Sequence, residues 1–303
     1  MSLYLKYRPG DLDNIKGNEE VVSYLNAMLG TPATCPHSFL ITGPSGCGKT
    51  TIGRIIAKRL GCVGSDFREV DSADFRGIDT VREIRKQSGY KPLEGSCRVW
   101  LIDECHKMTN DAQNALLKIL EDTPSHVYFI LCTTDPQKLL ATIKGRCSQI
   151  TVKPLSDSQM MTLLREVTKA EGQSMPKAVY EQIIQDSLGQ SRNALQILDQ
   201  VLRVEPDQRL EVAKQSAEQQ SQSIELCRLL LGRSTWDQIK NVLNGLKDQD
   251  PESIRRHVLG YAQAVLLKSD NSRAGLVLES FIEPFFNSGF PQLVLACYVV
   301  YKG

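Results

Sequence analysis

The sequence predicts an α/β fold in which five short strands form a parallel sheet covered by helices, followed by a second half made only of helices. Three observations predict it. A glycine-rich loop over 43–50 lies between an apolar strand-like run and a helical pattern. A second apolar run, Val99-Trp100-Leu101-Ile102, ends in the paired carboxylates Asp103 and Glu104. Strand-like runs then alternate with helical ones as far as about residue 153 and stop there.

The first 36 residues contain Tyr7-Arg8-Pro9 and then an amphipathic helix over 18–29, with Val21, Val22, Leu25 and Leu29 on one face. Phe39-Leu40-Ile41 reads as the first buried strand. It runs into Gly43, Pro44, Ser45, Gly46, Cys47, Gly48, Lys49, Thr50 and Thr51, the pattern G-x-x-x-x-G-K-[ST]. Its glycines allow consecutive N–H groups to face a phosphate chain, with the positive end of the following helix behind them. Lys49 supplies a point charge for the β- and γ-phosphates, and the Thr50 hydroxyl suits magnesium. A nucleoside triphosphate is therefore the expected ligand.

A helix over 50–60 ends at Gly61, a strand follows over 67–70, and a polar turn leads to a helix over 78–88. The carboxylates at the end of the next strand form the second half of the site. Asp103 is expected to hold magnesium through water, and Glu104 to polarise an attacking water, so hydrolysis is expected beyond binding. A helix over 111–122, a strand over 127–131 ending in Thr133-Thr134, and a strand over 148–152 complete the sheet. Ligands of such sheets sit at the carboxyl ends of strands, where Lys49, Asp103, Glu104 and Thr134 all fall. Helical patterns then occupy 156–171, 176–187 and 191–203, with Ser191 expected as the cap of the last and Arg192 directed back toward a nucleotide. The polar stretch 205–223 reads as a linker partly taken up by helix, and 224–302 as packing and assembly helices.

A chain of 303 residues is too long for one growing core, so two or three domains are expected. Its 41% hydrophobic and 23% charged content is that of an ordinary soluble protein, and no apolar run reaches membrane-spanning length. With no signal-peptide pattern at the start, a cytosolic protein is expected. A net charge of +1 neither favours nor excludes nucleic acid, because a basic face can hide in a balanced total. The nine cysteines are odd in number, scattered and without a C-x-x-C pair, which speaks against a disulfide framework or a zinc site. Cys47, close to a helix N-terminus, is expected to have a lowered thiol pKa, to be alkylated early and to be protected by ATP.

The phosphate loop, Asp103-Glu104-Cys105-His106, the run from Thr133 to Leu139, Gly145-Arg146-Cys147 and the run from Gly189 to Leu195 occur in this order. With them the sequence resembles the AAA+ ATPase subunits of sliding-clamp loaders, namely replication factor C small subunits and, more closely, the bacterial gamma/tau subunit of DNA polymerase III. The likeness covers about 3–205. It implies an AAA+ ATPase domain over 1–153, a helical lid over 154–206 and a helical collar over 207–303. ATP and Mg2+ are the implied cofactors. The implied partners are other clamp-loader subunits in a ring-like spiral, a pentamer in the family, with a sliding clamp and primer-template DNA, in the cytoplasm of a bacterium or a phage-infected one.

By the same resemblance Tyr7, Arg8 and Pro9 lie beside the nucleotide, and Thr134 matches the sensor-1 position. Arg146 matches an arginine finger offered to the ATP of a neighbouring subunit, and Arg192 matches sensor 2. The family tracks the DNA backbone with basic groups, for which Arg76, Arg82, Arg85 and Lys86 are the candidates here. Tyr90-Lys91-Pro92-Leu93 falls where the family touches its clamp. Two departures stand out: Gly145 replaces the family serine, and the four-cysteine zinc module of bacterial gamma/tau is missing, only Cys62 lying in that region. A phage or plasmid loader is thus as compatible as a cellular one.

Three other readings compete. A DExH helicase needs a second ATPase domain, which the helical second half does not supply. A helicase loader or branch-migration motor shares the AAA+ framework, and only the Arg146-Cys147 context and the run from Thr133 to Leu139 favour a clamp loader over it. A non-hydrolysing scaffold subunit conflicts with intact Lys49, Asp103, Glu104 and Arg146.

Overall fold

The structure, a computed structural model, describes residues 1–30, 35–72, 77–220, 222–232, 234–247, 249–285 and 288–303. The chain divides into two compact units. The first holds Leu3–Gln159 with Gln190–Arg192, and the second holds Met160–Gly189 with Asn193–Gly303.

In the first unit five parallel strands, β1 (Ser38–Thr42), β2 (Phe67–Asp71), β3 (Arg98–Asp103), β4 (Val127–Thr133) and β5 (Ser148–Thr151), lie in the order β2-β3-β4-β1-β5. Crossover helices force this arrangement, because parallel neighbours cannot be joined by tight turns. Strand alternation sorts the core between two faces. Phe39, Ile41, Val99, Leu101, Ile130 and Cys132 cluster with Leu25 of α2 (Glu19–Leu29) and with Ile52 and Ile56 of α3 (Lys49–Arg59). The intervening Leu40, Trp100, Ile102, Phe129 and Leu131 cluster with Val81 and Ile84 of α4 (Ile78–Ser88) and with Leu116 and Ile119 of α5 (Asn110–Glu121). Short helices α1 (Leu3–Lys6) and α6 (Ala141–Lys144) belong to the same unit. Both faces are covered, so the central strands read as continuous apolar runs. Element limits differ from the sequence expectations by one or two residues, and β4 reaches Thr133, two residues beyond the expected end.

One polar anchor sets the entry into β3. Asp66, at the end of a short turn before β2, is fully buried. Its carboxylate accepts from the backbone N–H groups of Leu93 at 2.8 Å, Glu94 at 2.8 Å and Gly95 at 2.9 Å, and faces Arg98 Nη2 at 3.4 Å. Burial alone raises the carboxyl pKa, but the N–H donors of Gly95, Glu94 and Leu93 with Arg98 outweigh it and bring it down to about 2.

The second unit contains α7 (Asp157–Ala170) from Met160 onward, α8 (Lys177–Ser187), α9 (Ser191–Val201) from Asn193 onward, α10 (Arg209–Gln220), α11 (Gln222–Leu231), α12 (Trp236–Gly245), α13 (Pro251–Lys268), α14 (Ser272–Phe281) and α15 (Gly289–Lys302). The expected linker is largely the helix α10, which packs on α8. Buried Arg209 fastens it by donating to the Ser174 carbonyl at 2.7 Å and to Gln173 Oε1. Fully buried Asp186 on α8 accepts from Arg228 of α11 at 2.6 Å and from Gln182 at 2.8 Å. Burial raises the Asp186 carboxyl pKa against the pull of these donors.

Candidate active site

Three strand ends carry the site, and the strand order sets them side by side. β4 lies between β3 and β1, so the Asp103-Glu104 end, the Thr133-Thr134 end and the phosphate loop are consecutive along one edge of the sheet.

The loop's path puts three glycines, Gly43, Gly46 and Gly48, at positive φ. Gly43 has φ 146°, and a Cβ there would lie 2.3 Å from the Val152 carbonyl oxygen. Gly46, at φ 70°, turns the chain so that its carbonyl accepts the Ser191 hydroxyl and the Arg192 N–H, each at 3.3 Å. Ser191 is thus the first residue of α9 with its hydroxyl on the phosphate loop, where a capping role was expected. The Arg192 backbone N–H is brought to the loop, and its side chain is exposed.

Lys49 is buried at 5% exposure, and its Nζ donates to the Pro44 carbonyl at 2.9 Å across the loop. Thr50 Oγ1 donates to Asp103 Oδ2 at 2.7 Å. A hydroxyl at a helix N-terminus and a carboxylate at a strand end this close, both hard oxygen ligands, fit a magnesium ion bound to a triphosphate. Pro44 and Ser45 form the exposed crest of the loop, and Thr51 lies in the first turn of α3.

Glu104 follows with φ 48°, a left-handed conformation that non-glycine residues rarely adopt. Its N–H donates to Asp103 Oδ1 at 3.0 Å. Glu104 Oε2 accepts from Thr134 Oγ1 at 3.1 Å and lies 3.3 Å from His106 Nδ1. Thr134 is therefore joined directly to the carboxylate.

Half-buried Arg8 sits among cations. Burial, then Arg54 and Arg192, pushes its guanidinium pKa below the ordinary value. Arg8 and Arg192 thus add positive charge beside the phosphate loop. Tyr7 and Pro9 flank Arg8 on the same half-buried turn.

Cys47 corrects the expectation set by its helix terminus. Burial pushes its thiol up to about 11 and outweighs the opposing charge of Lys49, and the Sγ donates to the Ser45 carbonyl at 3.6 Å. Desolvation of a thiolate costs more here than the Lys49 charge returns.

Arg146 is away from this cluster. It lies between α6 and β5, before the first residue of a strand whose end, Thr151, pairs with Thr42 just ahead of the phosphate loop. In a parallel sheet that puts it at the opposite end from its own chain's loop. Its guanidinium donates to the Thr142 carbonyl at 3.0 Å and pairs with Glu121.

Of the four basic candidates for a nucleic-acid face, Arg76 lies outside the described residues. Arg82, Arg85 and Lys86 are exposed on α4, with Arg82 paired to Asp79 at 2.8 Å. Between α4 and α5 runs a cleft of about 380 Å³ whose polar lining is Arg82, Arg85, Asp111, Asn114 and Lys118. Sequence reasoning left out Asn114 and Lys118, and it treated His106 and Thr133 only as parts of motifs. The signal available for these two was their adjacency to Glu104 and Thr134.

The family model for the DNA polymerase III delta subunit matches residues 64–156. The gamma/tau subunit of DNA polymerase III from Mycobacterium tuberculosis H37Rv is 36% identical over 225 residues, which cover 67% of this chain and 39% of that protein. The chain thus spans about two fifths of the length of that relative. Among solved structures, the RuvB Holliday junction branch migration motor of Thermotoga maritima superposes with a TM-score of 0.61 at 18% identity, over 78% of this chain and 85% of that one. A DNA polymerase III gamma subunit-related protein of the same organism gives 0.52 at 15% identity, over 93% and 98%. At these identities the two structures speak for the fold, a P-loop AAA+ α/β domain with helical additions. The closer sequence match says more: over two thirds of its length, this chain belongs to the gamma/tau family of DNA polymerase III subunits.

Proposed function

We propose that the chain is an ATP-hydrolysing subunit of a sliding-clamp loader, which opens a ring clamp and places it on primer-template DNA during replication. The observation that carries this reading is the split site: loop, carboxylates and Thr134 on one edge of the sheet, and Arg146 at the other end. A guanidinium so placed serves a neighbouring subunit's phosphates and not its own.

In this reading residues 1–153 are the ATPase domain, 154–206 the lid and 207–303 the collar. The loop N–H groups of 43–50, with Lys49, Arg8 and Arg192, hold the triphosphate. Thr50 and Asp103 would hold Mg2+, which would supply charge neutralisation for the triphosphate. Glu104 takes the proton of the attacking water as the water oxygen bonds to the γ-phosphorus and the bridging bond to ADP breaks. Arg146 from the next subunit stabilises the charge that spreads over the transferring group. The cations Arg82, Arg85 and Lys86, joined by Lys118, suit backbone phosphates and confer no sequence preference. Tyr90 and Leu93, 58% and 78% exposed on the loop clipped by Asp66, suit apolar contact with a clamp. Among the described residues no helix is long and apolar enough to cross a membrane, and a cytoplasmic setting suits a replication subunit. The sequence match to gamma/tau, against fold likeness alone to the branch-migration motor, favours this reading over other AAA+ machines.

The test is the ATPase rate of the chain with its partner subunits, measured with primed DNA, with a ring clamp, and with both. Greater than additive stimulation is expected, and its absence overturns the reading. Arg146→Ala should leave ATP binding nearly intact and lower turnover by about a thousandfold or more.

A further inference from the structure

Hydrolysis asks one oxygen of Glu104 to face the water, and the structure shows what holds the other. Thr134 Oγ1 donates to Oε2 at 3.1 Å. His106 brings Nδ1 to within 3.3 Å of the same oxygen, on a side chain only 10% exposed. Nδ1 is itself steadied by Thr133 Oγ1 at 3.0 Å, and Thr133 is fixed in turn by the Asp135 N–H at 3.0 Å.

The tautomer follows from electrostatics. A bare lone pair on Nδ1 would face a carboxylate oxygen at 3.3 Å, which is repulsive in a partly dehydrated site. A proton there is attracted both to Oε2 and to the Thr133 hydroxyl oxygen, which retains lone-pair capacity after accepting from Asp135.

We propose that His106 is a positioning residue for the hydrolytic base: the Thr134 hydroxyl bonds Oε2 of Glu104, and the Nδ1–H, bonded to Thr133 Oγ1, attracts the same oxygen from 3.3 Å, leaving Oε1 to receive the proton of the water. The assignment rests on the ATPase reading above. It gives adjacent threonines different tasks, since Thr134 grips the carboxylate directly and Thr133 does so through the imidazole. It also accounts for the left-handed backbone of Glu104, a strained conformation kept in place by side-chain contacts made further along the chain.

The experiment compares His106→Ala, His106→Asn and Thr133→Val in the full chain assembled with its partner subunits, with kcat, KM for ATP, equilibrium binding of a fluorescent ATP analogue and thermal midpoint measured for each. An asparagine amide nitrogen occupies nearly the place of Nδ1. His106→Ala should lower kcat at least tenfold, with KM and nucleotide affinity within twofold of the wild type. Thr133→Val should move kcat in the same direction. His106→Asn should recover at least half of the wild-type kcat even where its thermal midpoint equals that of His106→Ala. Equal impairment of the Ala and Asn variants, or a loss confined to KM, overturns the role. So does full activity of His106→Ala in an assembly whose wild type hydrolyses ATP, and that result leaves the ATPase reading standing. An assembled wild type that hydrolyses nothing overturns both.

Discussion

Replacing Asp66 tests whether one buried carboxylate sets the geometry of the strand that delivers Asp103 and Glu104. Asp66→Ala removes the acceptor of three backbone N–H groups at 2.8–2.9 Å and of Arg98 at 3.4 Å. An orphaned donor costs about 1–3 kcal/mol where water cannot replace its partner. Leu93 is exposed, so its loop regains some hydration, and Arg98 keeps the Gln87 and Lys91 carbonyls. The low end of the range then applies to each group, giving a loss of about 3–4 kcal/mol, against a total stability of roughly 5–15 kcal/mol.

Trp100 on β3, buried in the first unit, reports the change by fluorescence in urea, with Trp236 replaced by Phe to silence the second unit. The pH dependence has a definite sign. Asp66 ionises at about 2 when folded, below its ordinary 3.8, so its contribution is complete above about pH 4 and is lost as the pH falls toward 2. That part amounts to roughly 2 kcal/mol and should vanish in Asp66→Asn. A loss under 1 kcal/mol in Asp66→Ala, or equal acid sensitivity of wild type and Asp66→Asn, refutes the reasoning.

Cys47, with its thiol at about 11, should react slowly with iodoacetamide at pH 8, where roughly one molecule in a thousand is thiolate, and faster by about tenfold per pH unit up to 10. A rate matching free cysteine at pH 8 contradicts the burial argument. Charge reversal at Arg85 and Lys86 should weaken binding of primed DNA equally across sequences and reduce the salt slope by about 1 for each phosphate no longer neutralised, measured by fluorescence anisotropy. A change that depends on base sequence would remove these cations from the backbone-binding reading. Asp186→Ala removes the carboxylate partner of the Arg228 guanidinium, which keeps the Lys214 carbonyl at 2.7 Å, and should cost about 3 kcal/mol, read from Trp236 fluorescence in a Trp100→Phe background. A loss below 1 kcal/mol would mean that the pair is not structurally important.

The sheet and the phosphate loop were legible because the three central strands, β1, β3 and β4, carry apolar runs and Gly43 answers a local steric demand against Val152. Asp103, Glu104, Thr134 and Lys49 converge because strand ends are where such sheets place ligands. Asp66 was not legible: a single aspartate in a turn carries no sign that three N–H groups from a distant loop will close on it. Cys47 misleads because proximity to a helix end is visible in a sequence and desolvation is not. Helix α10 reads as a linker on its polarity, whereas the residue that anchors it is a buried arginine. His106 lay in plain view inside a motif, but its partner Thr133 is 27 positions away and only the sheet brings them together.

The ion pair of Arg146 with Glu121 bears on timing. Both side chains are substantially solvated, 35% and 47% exposed, and pairs of that kind stabilise by at most about 1 kcal/mol. In the proposed role the arm is therefore parked, not locked: Glu121 keeps it from drifting, and a more highly charged anion on an arriving neighbour can draw it away with little resistance. A firmer clasp would have made each handover slow.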